Sequence, residues 1–113
     1  MPPSNPKPLK RTAAFHAIYR RGRWAHGAML SVGALGNQLP ATRVGLRTGR
    51  GIKRAVERNR LKRQLRALVF TPSVSFRHGL DVIIVARPKQ PSVKQSLMAK
   101  ELKGLCQRLG VLA

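Results

Sequence analysis

The run Asp81 to Ala86, DVIIVA, constrains this chain more than any other six residues. It is almost continuously apolar and β-branched, the pattern of a strand buried on both faces at the centre of a sheet. Helical periodicity flanks it. Phe15, Ile18 and Tyr19 recur at i, i+3 and i+4 in a segment from Thr12 to about Arg21, with Thr12 expected as its cap and Gly22 as its terminator. A long helix is expected from about Ile52 to Phe70, stopped by Thr71 and Pro72. Its apolar contacts are expected from Ala55, Val56, Leu61, Leu65 and Leu68. A last helix is expected to start at Ser92, with Gln95 closing a capping box, and to lay Met98, Leu102, Leu105 and Leu109 on the sheet.

Two further runs read as strands, Ala28 to Leu35 and Thr42 to Arg47, separated by the turn residues Gly36, Asn37 and Pro40. In the second, Val44 and Leu46 point one way and Arg43, Gly45 and Arg47 the other, which sets cations on a sheet face. Residues 1–8 hold four of the eight prolines and read as an extended, mobile lead-in, leaving 9–113 as a single domain.

Charge says what that domain is for. Among 113 residues there are 23 Lys and Arg against 3 Asp and Glu, a formal net charge of +20 that repels itself in a compact body. With 42% hydrophobic residues the chain folds, so an anionic partner is expected for a folded domain and not for a disordered tail. The cations concentrate between Lys53 and Arg66, where Lys53, Arg54, Arg58, Arg60, Lys62, Arg63 and Arg66 face one acid, Glu57. On a helix Arg54, Arg58, Lys62 and Arg66 stack at i, i+4 spacing, each like-charge pair costing about 0.2–0.5 kcal/mol. Phosphates relieve such a ridge through counterion release, and guanidinium forks onto phosphate and stacks on bases. Nucleic acid is the expected partner.

Enzyme chemistry on the chain itself is poorly supplied. Acid–base pairs, two-metal sites and glycosidase dyads draw on carboxylates, and Glu57, Asp81 and Glu101 lie in three separate segments. Glu57 and Glu101 read as isolated helix anions, the latter near Lys100 and Lys103, and Asp81 as a strand start. The single cysteine, Cys106, excludes an internal disulfide and reads as a small buried residue. His16, His26 and His78 show no ligand spacing, so no metal site is expected on the protein. No run approaches the length of a membrane span and the N-terminus has no apolar region behind its cations, from which a cytoplasmic location is expected. Phe15 and Tyr19, one helical turn apart with Trp24 beyond, fit either core packing or a platform for stacked bases, and both readings stay open on pattern alone.

The segment Arg43 to Ala67, RVGLRTGRGIKRAVERNRLKRQLRA, resembles the signature region of the bacterial ribonuclease P protein component: a hydrophobic strand, a basic glycine-containing turn, and an R-N-R helix followed by K-R-x-x-R. Leu9 to Tyr19, GLDVIIVAR and Leu97 to Leu109 are similar to that family's first helix, central strand and closing helix, and only the Pro-rich start lacks a counterpart. Two departures are Arg50–Gly51, where the family usually has paired lysines, and Ala67, where an acid often follows. The resemblance implies an α/β (α+β) two-layer sandwich of order αβββαβα, with a small sheet and a left-handed βαβ crossover. It implies an accessory subunit for a catalytic RNA that removes the 5′ leader of precursor tRNA, with magnesium held mainly by that RNA. It implies that Arg50, Lys53, Arg54, Arg58, Asn59, Arg60, Lys62, Arg63 and Arg66 bind the ribonuclease P RNA, and that Phe15, Tyr19, Arg43 and Arg47 line a cleft for the leader. No membrane is expected, and no protein partner is required. The competing reading that charge alone supports is a ribosomal or ribosome-assembly protein.

Overall fold

The structure, a computed structural model, describes residues 6–49, 52–70, 74–87 and 94–113. Its elements run β1 (Lys7–Pro8), α1 (Thr12–Arg21), β2 (Arg23–His26), β3 (Leu30–Gly36), β4 (Arg43–Thr48), α2 (Ala55–Val69), β5 (Leu80–Ala86) and α3 (Gln95–Leu109). The five strands form one mixed sheet in the order β1-β4-β5-β3-β2, with β5 in the middle as its sequence requires. β4 and β5 are parallel neighbours joined through α2, the crossover unit that the resemblance implied; β3 pairs antiparallel with both β5 and β2.

Strand alternation divides the core in two. Val32, Val44, Val82, Ile84 and Ala86 meet Leu61, Leu65 and Leu68 of α2 and Met98, Leu102, Leu105 and Leu109 of α3 in one large cluster. The opposite face carries only a small cluster, Leu9, Phe15, Ile18 and Ile83, beneath α1. The result is an α+β sandwich with a closed face and a partly open one.

Several boundaries differ from expectation, each for a local reason. Lys7 and Pro8 do not belong to a lead-in: they pair in parallel with Arg43 and Val44, and the Lys7 and Leu9 N–H groups donate to Thr42 O and Val44 O, both at 2.9 Å. Proline fits there because an edge strand leaves one side of its backbone unpaired. Thr12 is the first helical residue and no cap; Arg11 takes the cap position without a side-chain bond. β2 escapes the sequence reading because it is short and polar, with only Ala25 buried. β3 starts two residues late because Glu101 of α3 accepts the N–H groups of Ala28, Met29 and Leu30 at 2.7–2.8 Å, fixing a turn where sheet pairing was expected. Glu101 is therefore no idle helix anion.

α2 begins at Ala55, and neither Ala55 nor Val56 supplies the expected apolar contact: both are exposed, Val56 by 65%. Ile52 is buried in their place. The helix ends at Val69, while Thr71 and Pro72 lie outside the described residues. Ser92, the expected cap of the last helix, also lies outside them; Gln95 opens α3 and, instead of closing a capping box, donates from Nε2 to Gln64 O of α2 at 3.0 Å. α3 closes on Gly110 at φ 70°, a left-handed position that glycine tolerates. Cys106 is fully buried as expected, and burial pushes its thiol up to about 12.

Candidate nucleic-acid interface

The carboxylates are engaged first. Asp81 is buried and takes a two-pronged bond from Arg43, Nε to Oδ1 at 2.8 Å and a terminal nitrogen to Oδ2 at 2.7 Å, with Asn37 Nδ2 also donating to Oδ1 at 2.9 Å. That bond raises the Arg43 pKa above its ordinary value against a smaller effect of burial. Glu101 serves the turn before β3, and Glu57 stands in the first turn of α2, where the helix dipole favours an anion. Among the described residues no three His, Cys, Asp or Glu side chains gather as a metal's ligands.

Some cations are engaged too. Arg23 and Arg77 donate to Leu109 O at 2.8 Å and Gly110 O at 3.1 Å, carbonyls that the end of α3 leaves unsatisfied. Arg58, expected in the phosphate ridge, folds back on its own chain: it donates to Lys53 O at 2.6 Å and Ile52 O at 3.2 Å and so pins the turn that enters α2. Arg54 sits at the N-cap, outside the helix. The uninterrupted i, i+4 ridge is thus reduced to Lys62 and Arg66, which turn toward β1 and line a cavity of about 480 Å³ with Pro8, Leu9, Lys10 and Phe70. The outward face of α2 belongs to Asn59, Arg60 and Arg63, with Val56 and Ala67 beside them, all exposed. Lys53 is exposed just before the helix, and Arg50 and Gly51 lie outside the described residues.

The open face of the sheet carries a second surface. Phe15 lies over Gly45, where an added Cβ would meet its ring at 2.5 Å, and the Arg47 guanidinium covers the same ring 4.3 Å from its centroid. Trp24 lies over Gly33 in the same manner, with a clash at 2.6 Å if a side chain were present. Only glycine allows an aromatic ring to rest so directly on a strand. Tyr19 stacks on Trp24 at 5.2 Å between centroids, and Trp24 on His26 at 6.0 Å, making a row of three rings. This row, with Ser31, Val85 and Arg87, borders an open cavity of about 350 Å³. Ser31 Oγ holds His26 Nδ1 at 2.8 Å and accepts from Arg87. Phe15 is buried and Tyr19 is 51% exposed, so the two open readings divide between them: Phe15 is core, Tyr19 is surface.

Of the expected cleft residues, the structure brings Phe15 and Arg47 together, places Tyr19 one helical turn along at the ring row, and sets Arg43 apart. Arg43 shares their sheet face but lies four residues down β4 from Arg47, about 13 Å away, and is tied to Asp81. Trp24, noted beside the pair in the sequence, joins the cleft, and His26, Ser31 and Arg87 complete it without having been expected there. The signal that could have found them is the pair of glycines, Gly33 and Gly45, within otherwise good strands.

Comparison with known proteins agrees with this layout. A family model described as Ribonuclease P matches residues 4–110, so the Pro-rich start does have a counterpart from residue 4 on. The ribonuclease P protein component of Symbiobacterium thermophilum is 32% identical over 105 residues, covering 92% of this chain and 91% of that one. The solved RNase P protein of Thermotoga maritima superposes with a TM-score of 0.78 at 23% identity, over 90% of this chain and 96% of its own. That of Staphylococcus aureus gives 0.77 at 22%, over 93% and 96%; both show the shared fold. The cytoplasmic location expected from the sequence is withdrawn. Among the described residues no helix is long and apolar enough to cross a membrane, and that fact, like a family match, assigns no compartment. The match over nearly the whole length, the shared sandwich and the basic R-N-R helix on its surface lead to one statement: this chain belongs to the ribonuclease P protein family.

Proposed function

We propose that the two surfaces hold two different RNAs: the outward face of α2 docks on the ribonuclease P RNA, and the ring row on the open sheet face takes the single-stranded leader of precursor tRNA. As a protein component of ribonuclease P the chain works in the ribonucleoprotein that matures tRNA 5′ ends, with the RNA subunit performing the hydrolysis. Asn59, Arg60 and Arg63 face outward with no acid among them and suit phosphate; Lys62, Arg66 and Lys53 extend the cationic field to its flank. Arg54 belongs to the segment that enters the helix, whose Ile52 and Lys53 carbonyls Arg58 holds; Arg50 precedes that segment in the sequence.

The observation that carries the leader assignment is the row Tyr19, Trp24, His26, whose spacing gives unpaired bases faces to stack against beside the cation Arg87, with Arg47 farther across the sheet over Phe15. Duplex RNA keeps its bases stacked on each other and offers no such faces, which favours a single strand. Phe15 shapes the floor and Arg47 stays on it, while Arg43 acts at a distance through the sheet. In this reading magnesium belongs to the RNA, which is supported by the Asp81 and Glu101 carboxylates already accepting from N–H donors. The test is binding of precursor and mature tRNA to the reconstituted holoenzyme. Trp24→Ala should weaken precursor binding by about 1–3 kcal/mol for each base that no longer stacks and leave mature tRNA unchanged. Equal weakening of both would remove the leader from this cleft.

A further inference from the structure

We infer that α3 is the second half of a two-helix RNA platform, with Gly104 as a notch into which a phosphodiester backbone of the RNA held by α2 descends. This rests on the reading of α2 as the RNA-docking helix and extends it to an element that the R-N-R motif does not include. α2 and α3 cover the same sheet face, bury their apolar stripes in one cluster, and are tied by the Gln95–Gln64 bond, so their outer faces point the same way.

The outer face of α3 is Leu97, Lys100, Lys103, Gly104 and Gln107, opposite the buried stripe, and every one of these residues is exposed. The side chains of Lys94, Lys100 and Lys103 form no hydrogen bond or ion pair among the described residues. The acid of this helix, Glu101, is turned away to the N–H groups of the β2–β3 turn. The face is therefore cationic without compensation, which suits a polyanion and opposes a second copy of the same chain.

Gly104 is the second observation. It lies in the interior of a fifteen-residue helix, where glycine is the worst helix former after proline. A Cβ built there meets nothing within 4 Å, so no packing inside the protein calls for its absence. What its absence does is leave bare backbone beside two lysines, one turn beyond Lys100 and next to Lys103, the shape that lets a phosphate chain approach to main-chain contact.

The experiment compares wild type, Gly104→Ala, Gly104→Gln and Lys100→Ala/Lys103→Ala as full chains, measuring Tm without RNA, affinity for ribonuclease P RNA alone across a salt series, and mass by sedimentation. Both glycine variants should raise Tm, Gly104→Ala by about 4–8 °C. Gly104→Gln should nevertheless lose on the order of tenfold in RNA affinity. The double lysine variant should flatten the slope of log affinity against log salt by about 0.7–0.9 for each phosphate it no longer neutralises. Better stability with wild-type affinity and slope would overturn the inference, as would a wild-type dimer that Gly104→Gln dissociates. Arg60→Ala/Arg63→Ala separates the two levels: if it weakens binding while the α3 variants do not, only α3 is wrong, and if neither helix matters, the reading of α2 falls with it.

Discussion

The two faces of the sheet come from the same strands by the same alternation, yet they are used differently. Toward α2 and α3, β3, β4 and β5 present Val32, Val44, Val82 and Ile84 to two helices, and the resulting core takes in most of the buried apolar side chains. Toward α1 the same strands present Ser31, Gly33, Gly45, Arg47 and Ile83, and one ten-residue helix covers only part of them. A small domain cannot give both faces to stability and still keep a concave surface for a ligand. Here the closed face holds the fold and carries cations on its outside, while the open face trades buried area for exposed rings. Substitutions on the two faces should therefore fail in different ways.

The largest contrast is between Leu65 and Phe15. Leu65→Ala, at a fully buried site between α2 and the sheet, should cost about 2–5 kcal/mol in chemical denaturation and leave the RNA affinity of the folded fraction unchanged. Phe15→Ala should cost about 3 kcal/mol, the low end for such a truncation because its cavity opens beside the cleft, and should also lower discrimination for precursor tRNA by removing the floor under Arg47. If Leu65→Ala lost discrimination and Phe15→Ala did not, the division between the faces would be wrong.

Glu101 ties the faces together at the β2–β3 turn. Glu101→Gln keeps the shape but replaces a carboxylate that accepts three N–H bonds, so about 1–2 kcal/mol of stability should go, read as a lower denaturation midpoint at an unchanged denaturant slope. This residue also shows where sequence reading stops. The periodic elements were legible: the stripe Met98–Leu109, the central strand and the R-N-R helix all follow from spacing or motif. Glu101 and Asp81 were not, because each reaches a partner far along the chain: Glu101 lies 71 residues from Leu30, and Asp81 lies 38 from Arg43. The cleft was half legible for the same reason: Phe15 and Tyr19 share a helix, whereas Trp24, His26 and Arg87 join them only through strand pairing.

Cys106 probes the closed face without altering it at neutral pH. In the folded chain its thiol titrates near 12, and in the unfolded chain near the ordinary value of 9.0. Between those values the folded state keeps a proton that the unfolded state releases, so the contribution is full below pH 9 and is lost as pH rises. Unfolding free energy should fall by up to about 1.4 kcal/mol per pH unit in that window from this group alone. Cys106→Ala should remove that part of the slope, and identical slopes in the two proteins would mean that the thiol is hydrated in the native state.

The smallest effects test the division within α2 itself. Arg58 and Arg60 are both motif arginines two residues apart, and sequence alone gives them the same role. Their side chains do different work: Arg58 is bound to the carbonyls of Ile52 and Lys53, and Arg60 stands free on the outward face. Arg58→Ala should therefore lower stability by about 0.5–1.5 kcal/mol through the loss of bonds that close the turn into the helix. Its effect on RNA binding should be indirect, a weaker affinity at nearly the wild-type salt slope. Arg60→Ala should do the reverse, leaving the denaturation midpoint in place while the slope of log affinity against log salt flattens by about 0.7–0.9, the share of one phosphate. Arg58→Lys sharpens the contrast: an ammonium restores charge but not the guanidinium fork that reaches two carbonyls at once, so it should keep the wild-type salt slope and recover the stability only in part. Should Arg58→Ala flatten the slope as much as Arg60→Ala, the folded-back arginine must swing out on RNA binding, and the turn it pins in the free protein would be remade in the complex.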